Sequence, residues 1–124
     1  MEKLMYLAGR VLVAHIFLLA GLQKIGNYAG TQGYMESMGV PGMLLPLVIL
    51  VEVGGAIALI VGWQTRWAAA GLALFCVLSA MLFHANFSDG TQMIMFMKNL
   101  SIAGGLLFIA AHGAGAFALD IRRV

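Results

Sequence analysis

Three charged residues, Arg10, Glu52 and Lys98, lie within stretches of sequence that are otherwise apolar enough to cross a membrane. The 124-residue chain has only 7 basic and 5 acidic residues, so charges in these segments strongly constrain the fold. A charge at the centre of a bilayer costs at least ~2.5–3.5 kcal/mol, and it must therefore face a partner or a polar cavity. We expect these residues to mark an internal polar site.

The composition excludes a soluble domain. Apolar residues make up 62% of the chain, and the mean hydropathy is +0.97. A soluble domain of this length cannot hide so much apolar surface from water. The net charge of +2 is carried mainly by termini and loops, which argues against a nucleic-acid partner and leaves the lipid bilayer as the expected environment.

Four apolar segments, at about residues 4–22, 43–62, 67–87 and 90–112, are candidate membrane spans. At a rise of ~1.5 Å per residue, each can cross a hydrocarbon core ~30 Å thick. The glycine-rich stretch 23–42 contains one short helix, predicted over 31–38. Asp89 and Gly113 are typical of the start and the end of a helix. We predict an all-α integral membrane four-helix bundle, formed by one domain (1–124), with a short interfacial helix in the first periplasmic loop.

An even number of spans places both termini on one side of the membrane. Lys3, Arg66, Arg122 and Arg123 fall on that side, and Lys24 falls on the other. Because basic residues concentrate in cytoplasmic segments, we predict a multi-pass protein with cytoplasmic N and C termini.

The ionisable groups of three predicted spans lie at similar depths. Measured from the same side of the membrane, Glu52 lies ~13 Å deep, Lys98 ~12 Å and His15 ~10 Å. Arg10 lies deeper, but its long side chain can extend upward, and Asn99 adjoins Lys98. We expect Glu52 to pair with Arg10, with Lys98 or with both. The excess positive charge then favours an anion, or a carbonyl or phenolate oxygen, as the ligand.

Less specific interpretations remain open at this stage. The same charges can form a buried ion-pair network that only fixes the register of the helices. Taken alone, His15 is more typical of a core histidine than of a catalytic one, and Cys76 is typical of a small buried apolar residue. No histidine, cysteine or carboxylate spacing is typical of metal ligands, so we expect no metal site.

Six motifs, by their order and spacing, resemble those of the DoxX family of small bacterial inner-membrane proteins. They are GR at 9–10, LAGLQKI at 19–25, GVP at 39–41, EVGG at 52–55, GWQTR at 62–66 and QMIMFMKNL at 92–100. The resemblance covers nearly the whole chain. It implies a four-helix bundle in the bacterial inner membrane, with functional polar residues at Arg10, Lys24, Glu52, Lys98 and Asn99.

The resemblance also implies a redox role, because relatives look like a subunit of thiosulfate–quinone oxidoreductase and some associate with redox-defence enzymes. The sequence carries no cofactor motif, so the cofactor that we consider is a quinone, with electrons supplied by a redox-enzyme partner. The candidate catalytic residues are Glu52, Lys98 and Arg10. The candidate substrate-binding residues are His15, Asn99 and Lys24.

Two other functions use the same features. A carrier or exporter of a small anionic or amphipathic compound needs the buried positive charge but no electrons, and four helices favour a homo-oligomer for such a role. A membrane anchor for soluble enzymes needs neither a ligand nor a reaction.

Overall fold

The computed structural model describes residues 1–84 and 88–120. The regular elements of this part of the chain are all helical: α1 (Glu2–Gly26), α2 (Tyr28–Ser37), α3 (Gly42–Val61), α4 (Thr65–Phe83) and α5 (Gly90–His112). Helices α1, α3, α4 and α5 are each long and apolar enough to cross a membrane. The predicted all-α membrane bundle of four spans is confirmed, and α2 is the short helix predicted in the first loop.

Local sequence signals set several helix ends. The Asp89 carboxylate accepts a hydrogen bond from the backbone N–H of Thr91 at 2.9 Å and so caps the start of α5. Gly113 ends this helix with a φ of 85°, a conformation that favours glycine. The predicted end of the third span at Phe87 and the basic residues Arg122 and Arg123 lie outside the described residues.

Helix α3 is not uniform along its length. It begins with a 3₁₀ turn at Gly42–Leu44, continues as an α-helix over Leu45–Ile49, and then forms a π-helical segment at Leu50–Gly54. Regular α-helix resumes at Gly55–Val61. A π-helical turn accommodates an extra residue, so it changes which side chains face the neighbouring helix.

The spans pack around a core of small and aliphatic side chains. Helix α1 packs against α3, and α5 packs mainly against α4 and only lightly against α1. The fully buried core side chains include Ala14, Ala56, Leu59, Ala69 and Leu106. Small residues of this kind let membrane helices approach one another closely, which compensates for the weak hydrophobic drive between helices in lipid.

Helix α1 approaches α3 closely at Gly21. A Cβ atom at this position would lie 2.5 Å from Cγ2 of Val53 and 3.3 Å from Cβ of Glu52. A larger residue here would require the Val53 side chain or α3 itself to move, so glycine allows the end of α1 to lie against the π-helical segment.

Candidate functional site

An ion pair joins α1 to α3. Lys24 Nζ lies 2.6 Å from Oε1 of Glu52 and donates a hydrogen bond to it. The Glu52 side chain is 4% exposed and the Lys24 side chain 27% exposed. Close packing at Gly21, one helical turn before Lys24, brings the two side chains within reach of each other. The pair is therefore held by backbone packing as well as by charge.

The local backbone positions Glu52 for this contact. Glu52 lies inside the π-helical segment Leu50–Gly54 and is buried. Segments of this type are rare, and they occur frequently at functional sites. The irregular turn is thus a second feature, separate from the ion pair, that marks this position.

The ion pair borders a cavity of about 300 Å³ that is lined by residues of all five helices. Besides Glu52, the polar residues that line it are Lys24, Thr31, Tyr34, Ser79, His84 and Asn99. The remaining wall is apolar and includes three aromatic rings, those of Phe17, Phe75 and Phe83. A mostly apolar cavity with a few convergent polar groups is the usual form of a small-molecule site.

Packed side chains cover the end of the cavity nearest α2. The rings of Tyr34 and Phe83 stack with centroids 5.5 Å apart and an interplanar angle of 26°. Met35 of α2 is buried beside them and also lines the cavity. Helix α2 therefore acts as a cover over this end of the bundle.

Two further lining residues bear on the sequence predictions. Cys76 is buried, as predicted, and forms part of the cavity wall. His84 ends α4, and its Nδ1 is buried with no hydrogen-bond partner among the described residues. An unpartnered polar atom at a cavity wall is available to a ligand or to water.

The predicted pairing of Arg10 with Glu52 is wrong. Arg10 is 2% exposed, but it donates hydrogen bonds to backbone carbonyls at the opposite end of the bundle. Its Nη2 contacts the carbonyl oxygens of Ala116 and Phe117 at 2.8 Å, and its Nη1 contacts those of Leu59 and Ile60 at 3.2 and 3.4 Å.

The reason is distance along the helices. Arg10 and Lys24 lie about 21 Å apart along α1 at ~1.5 Å per residue, more than an arginine side chain can bridge. The last carbonyls of α3 lack intrahelical partners and carry partial negative charge, so they compensate the buried guanidinium. Arg10 therefore fastens the segment after α5 to the end of α3, and it does not join the cavity.

The predicted pairing of Lys98 with Glu52 is also wrong. Lys98 is exposed on α5 and has no ion-pair partner in the part of the chain that the structure describes, whereas its neighbour Asn99 lines the cavity. Successive helical residues point in different directions, so similar depth does not ensure a shared site. His15 is exposed for the same reason; its Nδ1 contacts the carbonyl oxygen of Leu12, and Ile16 lines the cavity instead.

Of the six predicted site residues, the cavity thus contains Glu52, Lys24 and Asn99. Tyr34 and His84 also line the cavity, although neither was predicted as a site residue. The spacing of residues in α1 indicates which of its faces is buried. The buried residues of this helix are Arg10, Ala14, Phe17 and Gly21. Spacings of three and four residues continue this face to Lys24 and leave His15 outside it.

Four membrane spans around a cavity with a buried lysine–glutamate pair define an integral membrane protein with an internal polar site. Residues 5–85 match the DoxX family, and the chain belongs to this family.

Two relatives from Escherichia coli (strain K12) support this assignment. Inner membrane protein YqjF is 51% identical over 120 residues, which cover 97% of this chain and 92% of the relative. Inner membrane protein YphA is 37% identical over 129 residues, covering 98% and 91% of the two chains. The chain is accordingly an integral inner membrane protein. No solved structure matches it at a significant level.

Proposed function

We propose that the cavity binds the head group of a quinone and that the protein is the membrane subunit of a quinone-linked oxidoreductase. The observation that carries this proposal is the Lys24–Glu52 pair, placed in a partly aromatic cavity between helices that are long and apolar enough to cross a membrane. A purely structural ion pair needs neither the cavity nor the aromatic wall. A site for a flat, oxygen-bearing ring needs both.

The size and chemistry of the cavity fit such a head group. A volume of about 300 Å³ suits a ligand with a single ring. The Lys24 ammonium, the Asn99 amide and the Ser79 hydroxyl can donate hydrogen bonds to carbonyl oxygens. The Glu52 carboxylate can accept one from a hydroxyl. Phe17 and Phe75 offer apolar surface for the ring faces.

Each polar residue has a distinct part in the proposed chemistry. When bound, a quinone takes up two electrons and two protons to become a quinol. Lys24 stabilises negative charge on a ligand oxygen, and Glu52 transfers protons. The chain has one cysteine and hence no dithiol of its own, so a redox-enzyme partner supplies the electrons. A homo-oligomer is compatible with this arrangement.

The test is a binding titration with the purified protein in lipid nanodiscs. The probe is a short-chain quinone analogue, and the readout is its dissociation constant. A hydrogen bond to a charged group contributes ~1.5–3 kcal/mol, so Lys24→Met and Glu52→Gln should each weaken binding about 10–100-fold. Lys98→Leu is the matched control, because Lys98 lies in a span but outside the cavity.

Three results separate the alternatives. Equal affinities for the wild type and both cavity variants would overturn the proposal. If only Lys98→Leu lowered the affinity, the ligand would bind at the surface of α5 and not in the cavity. Flux of a small anion across vesicles that contain only this protein, with no quinone binding, would favour the carrier function instead.

A further inference from the structure

We infer that the cavity opens sideways into the bilayer between α1 and α5, and that its ligand is a lipid-soluble molecule whose apolar tail stays among the lipid chains. This inference rests on the proposed function and extends it to the access route and the class of ligand.

The first observation concerns packing. Helix α1 contributes Ile16 and Ala20 to the cavity wall, and α5 contributes Met95, Asn99 and Ile102. Helix α5 packs mainly on α4 and touches α1 only lightly, whereas α1 packs closely on α3. The boundary between α1 and α5 is therefore a weakly packed part of the wall, and separating these two helices disturbs few contacts.

The second observation concerns exposure. Ile16 is 47% exposed and Met95 41% exposed, yet both line the cavity. Counted from the helix ends near α2, they lie ~15 Å and ~8 Å deep at ~1.5 Å per residue. At these depths the surroundings are hydrocarbon. The same two side chains thus form the outer surface of the bundle and the wall of the cavity.

The third observation concerns the other end of the cavity. The Tyr34–Phe83 stack and the buried Met35 cover the end nearest α2, which faces the membrane surface. A ligand dissolved in water would have to displace these packed side chains. A ligand dissolved in lipid meets the wall of the cavity at Ile16 and Met95.

The shape of the site then defines the ligand. Its head group carries oxygens that can reach Lys24 and Glu52, and the cavity has room for a ring but not for a long chain as well. An attached chain must leave through the wall, and the boundary between α1 and α5 leads it into the hydrocarbon. Isoprenoid or alkyl quinones have this form.

The experiment tests this route by cross-linking α1 to α5. Ile16→Cys and Met95→Cys are introduced together into a Cys76→Ala background, and the two new thiols are joined by a cleavable bifunctional reagent. The probe is a decyl-tailed quinone analogue, and stopped-flow fluorescence gives its association rate in nanodiscs. The linked protein should bind about tenfold more slowly or worse, and cleavage of the linker should restore the rate.

The controls distinguish this inference from the proposed function. An unchanged association rate in the linked protein would overturn the lateral opening but would not contradict the proposed binding site. Absence of binding to the wild-type protein would overturn both.

A second measurement needs no cysteine variant. A quinone analogue with a photoreactive diazirine at the tail end should label lipid and the residues around Ile16 and Met95. Labelling confined to Tyr28–Ser37 would place the tail at the membrane surface and contradict the lateral route.

Discussion

Lys24 Nζ lies 2.6 Å from Oε1 of Glu52, and this contact joins the last turn of α1 to the π-helical segment of α3. The three charged residues of the predicted spans therefore have three different environments. Glu52 pairs with Lys24 at a cavity, Arg10 binds backbone carbonyls at the other end of the bundle, and Lys98 lies on the surface of α5. Only the first arrangement offers charged groups to a ligand.

The ion pair predicts an asymmetric effect on stability. Lys24→Met leaves the buried Glu52 carboxylate without its partner and should destabilise the protein by about 3–5 kcal/mol. Glu52→Leu should cost less, because Lys24 is 27% exposed and can turn toward water. The double variant should recover much of the loss caused by Lys24→Met. Denaturant titration in mixed micelles measures all three values, and strictly additive losses would show that the two residues do not interact.

The close approach at Gly21 predicts a contrast between two glycines of the same helix. A Cβ at Gly21 would meet Val53 at 2.5 Å, so Gly21→Ala should separate α1 from α3, destabilise the protein by about 1–3 kcal/mol and weaken ligand binding. Gly9 is the control, since a Cβ there meets nothing within 4 Å.

Gly9→Ala should instead stabilise α1 by about 0.5–1 kcal/mol, as alanine does in a helix interior. Thermal unfolding in detergent and the dissociation constant of the quinone analogue are measured for both variants. Similar results at the two positions would mean that the approach at Gly21 does not position the ion pair.

Substitution of Arg10 should disturb the segment after α5 and leave the cavity intact. Arg10→Met removes the donors to four carbonyls, and each one left buried and unpaired costs about 1–3 kcal/mol. The segment after α5 should detach and become sensitive to chymotrypsin at Phe117. Arg10→Lys should rescue little, because lysine carries its donors on one nitrogen.

Ligand affinity in the Arg10 variants should match that of the wild type wherever the protein remains folded, because Arg10 lies about 21 Å from Lys24 along α1. A specific loss of affinity in stable Arg10→Lys protein would place Arg10 in the site after all.

The orientation of the bundle is a further prediction. The contact of Arg10 with Ala116 places the start of α1 and the segment after α5 at one end. Lys3 and Arg66 belong to this end, whereas Lys24 lies at the other, so both termini should be cytoplasmic. A green fluorescent protein fused to the C terminus should fluoresce, and alkaline phosphatase at the same position should be inactive. The reverse pattern would invert the topology.

Local features of this fold were predictable from the sequence, and contacts between helices were less so. Hydropathy located the spans, and Asp89 and Gly113 located the ends of α5, because each signal acts within one or two helical turns. The partner of Glu52 depended on which helix packs against α3 and on which face. Depth alone could not separate Lys98 from Asn99, whose side chains point in different directions.

The π-helical segment at Leu50–Gly54 illustrates the same limit. Nothing in its composition distinguishes it from the α-helix on either side, and the extra residue that it accommodates changes the register of α3. The regular helix that the sequence predicts here does not show this change of register. The partners predicted for Glu52 were wrong for a separate reason, namely the positions of Arg10 on α1 and of Lys98 on α5.

Photolabelling with a quinone analogue that carries an azide on its ring tests the proposed site without any substitution in the protein. After irradiation in nanodiscs, mass spectrometry identifies the modified residues. We expect adducts on Ala20, Lys24, Cys76 or Ser79, which line the cavity, and we expect excess unlabelled analogue to suppress them. Adducts confined to the neighbourhood of Lys98 or Arg10, or spread over lipid-facing side chains without competition, would contradict a binding site at the Lys24–Glu52 pair.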